Sequence, residues 1–212
     1  MTTASIPSEQ RFLLDDVDWP FYESLLQRVG DRHIFVTYDR GRLELMSPSW
    51  KHDKRARLIG LIVNIVAEDL RIPFEGGGST TFRREDLQQG LEPDQCFYIQ
   101  HVAQIRGKDE IDLASDPPPD LAVEVEISQR MVRRIPIYQS LGVPELWRDD
   151  GRHVRVYHLE GDGEYHELEH SVAFPMLSTV QIDYLLDLAR NTDEMNWTTA
   201  VREWVRKNLA RQ

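Results

Sequence analysis

Apolar and acidic residues alternate through PPPDLAVEVEIS, which ends at Ser128. Leu121, Val123, Val125 and Ile127 fall on one side, Asp120, Glu124 and Glu126 on the other. A period of two is that of a strand, whose side chains point to alternate faces. The segment therefore predicts a strand with one wholly apolar face, and EPDQCFYIQ, with Asp94 near its start, predicts another. WPFYESLLQRVG predicts an amphipathic helix closed by Gly30. HIFVTYDRGRLELMS reads as a hairpin turning at Asp39–Gly41. Leu58, Leu61, Ile62, Ile65, Val66 and Leu70 recur at helical spacing and predict a long helix over Ser49–Leu70. STTFRRED begins a further strand, and the polar stretch Gln100–Pro119 ends at three prolines. A shorter helix leads to Gly142, its start limited by Pro136. Three strands follow in PELWRDDGRHVRVYHLEGDGEYHELEH, and then helices over Thr179–Ala189 and Asp193–Ala210. The last helix carries Trp197, Val201, Trp204, Val205 and Leu209 on one stripe, expected to be packing surface within the chain or a homodimer seam. The pattern is α/β of the mixed (α+β) kind, with a C-terminal helical extension.

Composition narrows the class. A chain of 212 residues, 41% hydrophobic and 29% charged, fits one soluble globular core. Residues 1–178 are expected to form the main domain and 179–212 the helical extension. Cys96 is the only thiol, so no intrachain disulfide forms, which fits a reducing compartment. The opening MTTASIPSEQR lacks the apolar core of a secretory signal, and LIGLIVNIVA is interrupted by Asn64 and too short for a bilayer. The expected location is cytoplasmic, with no membrane partner.

The net charge of -11 argues against indiscriminate nucleic-acid binding, but the charge is unevenly spread. Residues 85–126 carry eleven acids against two bases, while residues 128–155 carry six arginines against three acids. Lys51, Lys54, Arg55 and Arg57 crowd the start of the long helix, where cations oppose the macrodipole. An acidic centre flanked by basic segments suits a metal site that meets a polyanion. The alternative is that these charges solvate loops and helix faces.

Desolvated carboxylates must be paired, hydrogen-bonded or bound to a cation. Asp94 and Glu124, on neighbouring strands, could hold a hard cation such as Mg²⁺, with Mn²⁺ as a substitute and the Val125 carbonyl as a further ligand. Glu126 would then orient or deprotonate a water, or bind a second ion. Other readings stay open: Asp94 as a turn cap, and Glu124 and Glu126 on the wet face of an antiparallel strand. At the level of function, the alternatives are an inactive metal-binding interaction domain and a carboxylate-pair hydrolase acting on sugars or other small substrates.

Four ordered blocks, YDRGRLELMSPSWKH, GLEPDQCFYI, PPPDLAVEVEIS and IPIYQSLGVPELWR, carry a family likeness over about Phe35–Leu177. The chain resembles the Uma-two family of restriction endonucleases, within the PD-(D/E)XK nuclease superfamily. The resemblance implies a restriction-endonuclease-like mixed sheet flanked by helices, a divalent-metal-dependent endonuclease activity on nucleic acid, most simply DNA, and a homodimer that cuts both strands. Asp94 matches the first metal-binding aspartate, Glu124 the acid of the (D/E)XK strand, and Glu44 the acid of the early hairpin that shapes the metal site. Where the superfamily pattern has lysine, this chain has Glu126; Arg134 stands in the place from which the next helix supplies the base in related members. Arginine does not act as a base at neutral pH, so the resemblance gives Arg134 a phosphate-contacting role. His52 matches a recurring histidine, and with Lys51, Lys54 and Arg55 makes the expected nucleic-acid contact.

Overall fold

The structure, a computed structural model, describes residues 9–30 and 32–209. Along it run β1 (Gln10–Leu14), α1 (Trp19–Val29), β2 (Phe35–Asp39), β3 (Arg42–Ser47), α2 (Trp50–Leu70), β4 (Glu75–Gly76), β5 (Phe82–Arg84), β6 (Gln89–Leu91) and β7 (Gln95–Tyr98). There follow α3 (Val102–Ile105), β8 (Leu121–Val125), α4 (Ile135–Leu141), β9 (Glu145–Asp149), β10 (Val154–Leu159), β11 (Tyr165–Leu168), α5 (Thr179–Leu188) and α6 (Glu194–Asn208). The expected end of the last helix at Ala210 lies outside the described residues.

Two sheets form where the sequence pattern predicts one. The first is antiparallel, ordered β1-β3-β2-β6-β5. The second is mixed, ordered β11-β10-β9-β8-β7-β4, with β8 and β9 its parallel pair. A parallel pair cannot be joined by a tight turn and needs a crossover. Residues 126–144, including α4, provide it. The irregular part of that crossover, residues 126–134, leaves the end of β8 where Asp94, Glu124 and Glu126 cluster.

Every residue of β8 is buried. Its Leu121, Val123 and Val125 pack against α2, while Ala122 joins Cys96, Ile137 and Tyr138 on the other face. A strand covered on both sides is the usual lot of a parallel pair, and it excludes the wet-face alternative for Glu124.

Local chemistry explains the helix starts. Asp18 accepts a hydrogen bond from Phe21 N at 2.9 Å, with Pro20 in the first turn of α1. Ser49 accepts from His52 N at 3.2 Å and caps α2. Pro136 sits in the first turn of α4, and Gly142 closes it with φ 75°, the left-handed cap that favours glycine.

Helix α2 is buried on more than its predicted stripe, because it is wedged between the second sheet and the C-terminal helices. Ile59, Val63 and Ala67 are as buried as Ile62 and Val66. Trp197, Val201 and Val205 of α6 belong to the same core cluster, so the last helix's stripe is packing surface within the chain. Among the described residues, no helix is long and apolar enough to cross a membrane.

Cys96 is buried in β7, and burial pushes its thiol up to about 12. The thiolate is the reactive form. Native protein is therefore expected to resist alkylation by iodoacetamide at pH 8, with full labelling on unfolding in denaturant. Rapid native labelling, followed by mass spectrometry, would contradict this packing.

Candidate active site

Asp94 immediately precedes β7 and continues its pairing with β8: Asp94 N donates to Val123 O at 3.1 Å, and Val125 N donates to Asp94 Oδ2 at 2.6 Å. The carboxylate is thus fixed to the end of β8 by the strand ladder. His52, on the first turn of α2, brings Nε2 to 3.3 Å from the same oxygen. Asp94 Oδ1 is buried and has no hydrogen-bond partner among the described residues. Burial would raise the Asp94 carboxyl, but His52, Arg130 and Arg134 outweigh it and hold it below the usual value. Burial alone would likewise lower the His52 imidazole; Asp94 outweighs that and holds it above its usual value.

Glu124 lies between three donors. Its Oε2 accepts from Arg130 Nη2 at 2.5 Å. Its Oε1 faces Arg134 Nη2 at 3.0 Å and accepts from the Tyr138 hydroxyl. Burial pushes this carboxyl up, while Arg134 and Arg130 pull against it, and it stays above the ordinary value. Two neighbouring carboxyls are therefore driven in opposite directions, a common property of sites that use one acid as a fixed anion.

Arg134 is buried at the start of α4, donates to Glu92 O, and has no partner for Nε and Nη1 among the described residues. Glu126 is half-buried beyond the strand, bound by Arg148 of β9 and 3.2 Å from Arg130 Nε. Glu44 of β3 reaches across from the first sheet. It pairs with Arg11 of β1 and accepts from Met131 N at 2.5 Å and Val132 N at 3.0 Å. Glu44 therefore clamps the backbone of residues 131 and 132 and does not touch Asp94 or Glu124 through any hydrogen bond.

The basic start of α2 divides. Lys51 and Lys54 are exposed, beside Trp50 at 81% exposure. Arg55 is committed to Asp149, and Arg57 to Glu194 of α6. His52 is fully buried against Asp94, so it does not stand on the surface with the lysines.

Arg130 and Tyr138 are site residues that the sequence pattern does not single out. Tyr138 lies one turn after Arg134, on the same face of α4, a spacing that could have pointed to it. Arg130 sits in irregular backbone, where no periodicity signals it.

A cleft of about 690 Å³ opens at this cluster, lined by Glu126, Arg130, Arg133, Arg134 and Arg148 among others. A larger one of about 1300 Å³, lined by Trp19, Arg83, Arg84, Tyr98 and Asp112 among others, contains none of the expected site residues.

Among the described residues, no group of three or more His, Cys, Asp or Glu side chains is arranged to hold a metal ion. Two carboxylates and a carbonyl do converge, however. Arg130 Nη2 touches Glu124 Oε2, lies 3.2 Å from Val125 O and 3.9 Å from Asp94 Oδ2. Mg²⁺ sites commonly use only one or two carboxylates, the rest being water and substrate phosphate. With Asp94 Oδ1 unsatisfied, this donor set fits a hard divalent ion.

No curated protein matches the chain. A solved structure described as "a putative nuclease belonging to DUF820 from Anabaena variabilis ATCC 29413" matches with a TM-score of 0.48 and 16% identity, over 70% of this chain and 89% of that one. The model of the Uma2 family, described as "Putative restriction endonuclease", matches residues 19–189. That span takes in both sheets except β1, the crossover with Arg130 and Arg134, and every acid of the cluster, and the chain belongs to the Uma2 family.

Proposed function

We propose that the protein is a divalent-metal-dependent endonuclease that hydrolyses phosphodiester bonds of duplex DNA, with Mg²⁺ as its ion and Mn²⁺ as a substitute. The observation that carries this reading is the convergence of Asp94 Oδ2, Glu124 and the Val125 carbonyl on one cationic nitrogen, with Asp94 Oδ1 buried and without a hydrogen-bond partner among the described residues. When bound there, such an ion supplies a more acidic water and neutralises charge on the phosphate.

In this reading Asp94 and Glu124 hold the ion. The β7–β8 ladder fixes Asp94, and Tyr138 with Arg134 fixes Glu124. Glu126, the acid with most access to the cleft, accepts the proton of the attacking water, oriented by Arg148. Arg134 lines the cleft and keeps two buried donors without partners among the described residues, which a phosphate oxygen entering the cluster would engage. Lys51 and Lys54 lie on the same turn of α2 that delivers His52 to Asp94, so backbone phosphates approaching the site would pass them. One site per chain would cut both strands only through two copies, which is the reason to expect a homodimer.

One observation favours an inactive scaffold on the same fold: Arg130 already neutralises Glu124, with Glu126 beside it where the superfamily has lysine. Supercoiled plasmid incubated with the protein and Mg²⁺ or Mn²⁺ separates the two. Nicking or linearisation is expected, and is expected to vanish with EDTA and with Asp94→Asn. Intact plasmid, with Mn²⁺ binding demonstrated on the same sample, would support the scaffold.

A further inference from the structure

Arg130 occupies the place that the proposed function gives to a metal ion, and does so from an irregular segment. Its side chain is 6% exposed, and its Nη2 lies against the oxygens just assigned as ion ligands. Its Nε lies 3.2 Å from Glu126 Oε1, so one guanidinium spans the whole acidic group. The segment that carries it is tied at its ends, where Glu126 N donates to Asp149 O at 2.7 Å and Arg134 O accepts from Ile137 N and Tyr138 N, but between them residues 127–133 make no backbone–backbone hydrogen bond among the described residues. Its backbone is held mainly from outside, by Glu44 at Met131 N and Val132 N, while Ser128 Oγ bonds Glu9 and Arg11. Beyond Arg130 lies the cleft lined by Arg133 and Arg148.

A guanidinium nitrogen and a divalent ion cannot share one set of oxygens. An ion held by Glu124 and Asp94 would compete with Arg130 for the same carboxylates, and two cations that close would repel strongly in a site of low effective dielectric. Arg134 is different: it meets Glu124 on Oε1, the other carboxylate oxygen. We propose that Arg130 is an exchangeable internal counter-ion, which keeps Glu124 and Asp94 neutralised until a divalent ion displaces its guanidinium toward the cleft. This rests on the reading of the cluster as a cation site. The apparent affinity for the ion is then reduced by the fraction of molecules in which Arg130 is seated.

Titrating Mn²⁺ into metal-free protein, with free Mn²⁺ read by electron paramagnetic resonance, tests the exchange without relying on cleavage. Arg130→Gln is expected to bind Mn²⁺ at least about tenfold more tightly than the wild type. Arg134→Gln removes an equal charge from Glu124 without vacating the shared oxygens, and is expected to shift affinity by less than about threefold. Equal gains in the two variants would reduce the effect to net charge and overturn the exchange. Mn²⁺ binding that Asp94→Asn abolishes but Arg130→Gln leaves at the wild-type value would overturn the exchange and leave the cation site standing. No Mn²⁺ binding by either wild type or Arg130→Gln would overturn both. Should Arg130→Gln lose the wild-type circular dichroism spectrum, Arg130→Lys carries the test. It retains the charge without the planar fork, and tighter binding by about threefold supports the exchange, whereas unchanged binding overturns it.

Discussion

Glu124→Gln is expected to lower metal-dependent plasmid cleavage by at least about 10³-fold, equivalent to roughly 4 kcal/mol of transition-state stabilisation. The substitution retains an oxygen for the Tyr138 hydroxyl but removes the charge that would hold a hard cation. It also leaves Arg130 and Arg134 buried without their shared anion. Breaking a buried pair in this way typically costs about 3–5 kcal/mol. The cleavage assay therefore belongs with a denaturation curve, run at a temperature where the variant is folded. Folded Glu124→Gln that cuts plasmid at the wild-type rate would remove Glu124 from the reaction.

The second large effect concerns stability, away from the chemistry. Arg55 bonds both carboxylate oxygens of Asp149, and among the described residues that carboxylate's one other hydrogen bond is from Gly151 N at 3.0 Å. The Asp149 side chain has no exposure and that of Arg55 only 17%. Arg55→Ala leaves this carboxylate buried and unpaired at the end of β9, at an expected cost of about 3–5 kcal/mol at neutral pH. That is a large share of the roughly 5–15 kcal/mol that holds a typical domain folded.

The loss should shrink in acid. Burial already raises the Asp149 carboxyl, and Arg55 opposes it. Without Arg55 the folded-state value rises further above the unfolded one. The folded variant then binds more protons than the unfolded chain, so its stability falls as pH rises from about 4 through the raised value. Urea midpoints at neutral pH and near pH 4 measure both effects. A deficit below about 1 kcal/mol that does not change with pH would show that Asp149 does not depend on Arg55.

What the chain discloses before folding follows the range of its interactions. Strand alternation in PPPDLAVEVEIS distinguishes the core face of β8 from the Glu124 face, because side-chain direction is a local property of extended backbone. The caps of α1 and α2 are equally local. Strand β5 falls within STTFRRED, where a strand is expected, but β6, of three residues, is too short to show a period. Strand β1 is an edge strand with alternating half-exposure, and its importance lies in carrying Arg11 to Glu44. The partners that engage Arg55 and Arg57 lie 94 and 137 residues further along. A cluster that looks like one basic patch in the sequence therefore becomes two exposed lysines and two structural arginines. His52 is hidden for the same reason: only the packing of α2 on β8 turns a first-turn residue into the neighbour of Asp94.

The position of α6 has a consequence for synthesis. Trp197, Val201 and Val205 complete the burial of a helix whose own residues end at Leu70. On the ribosome, α2 and the strands it covers are available long before the segment that seals their outer side. At roughly 5–20 residues per second, the stretch from Ala189 to Leu209 takes about 1–4 s to make. During that interval the nascent chain carries an open apolar groove along its longest helix, the kind of surface that holdase chaperones bind and neighbouring nascent chains share.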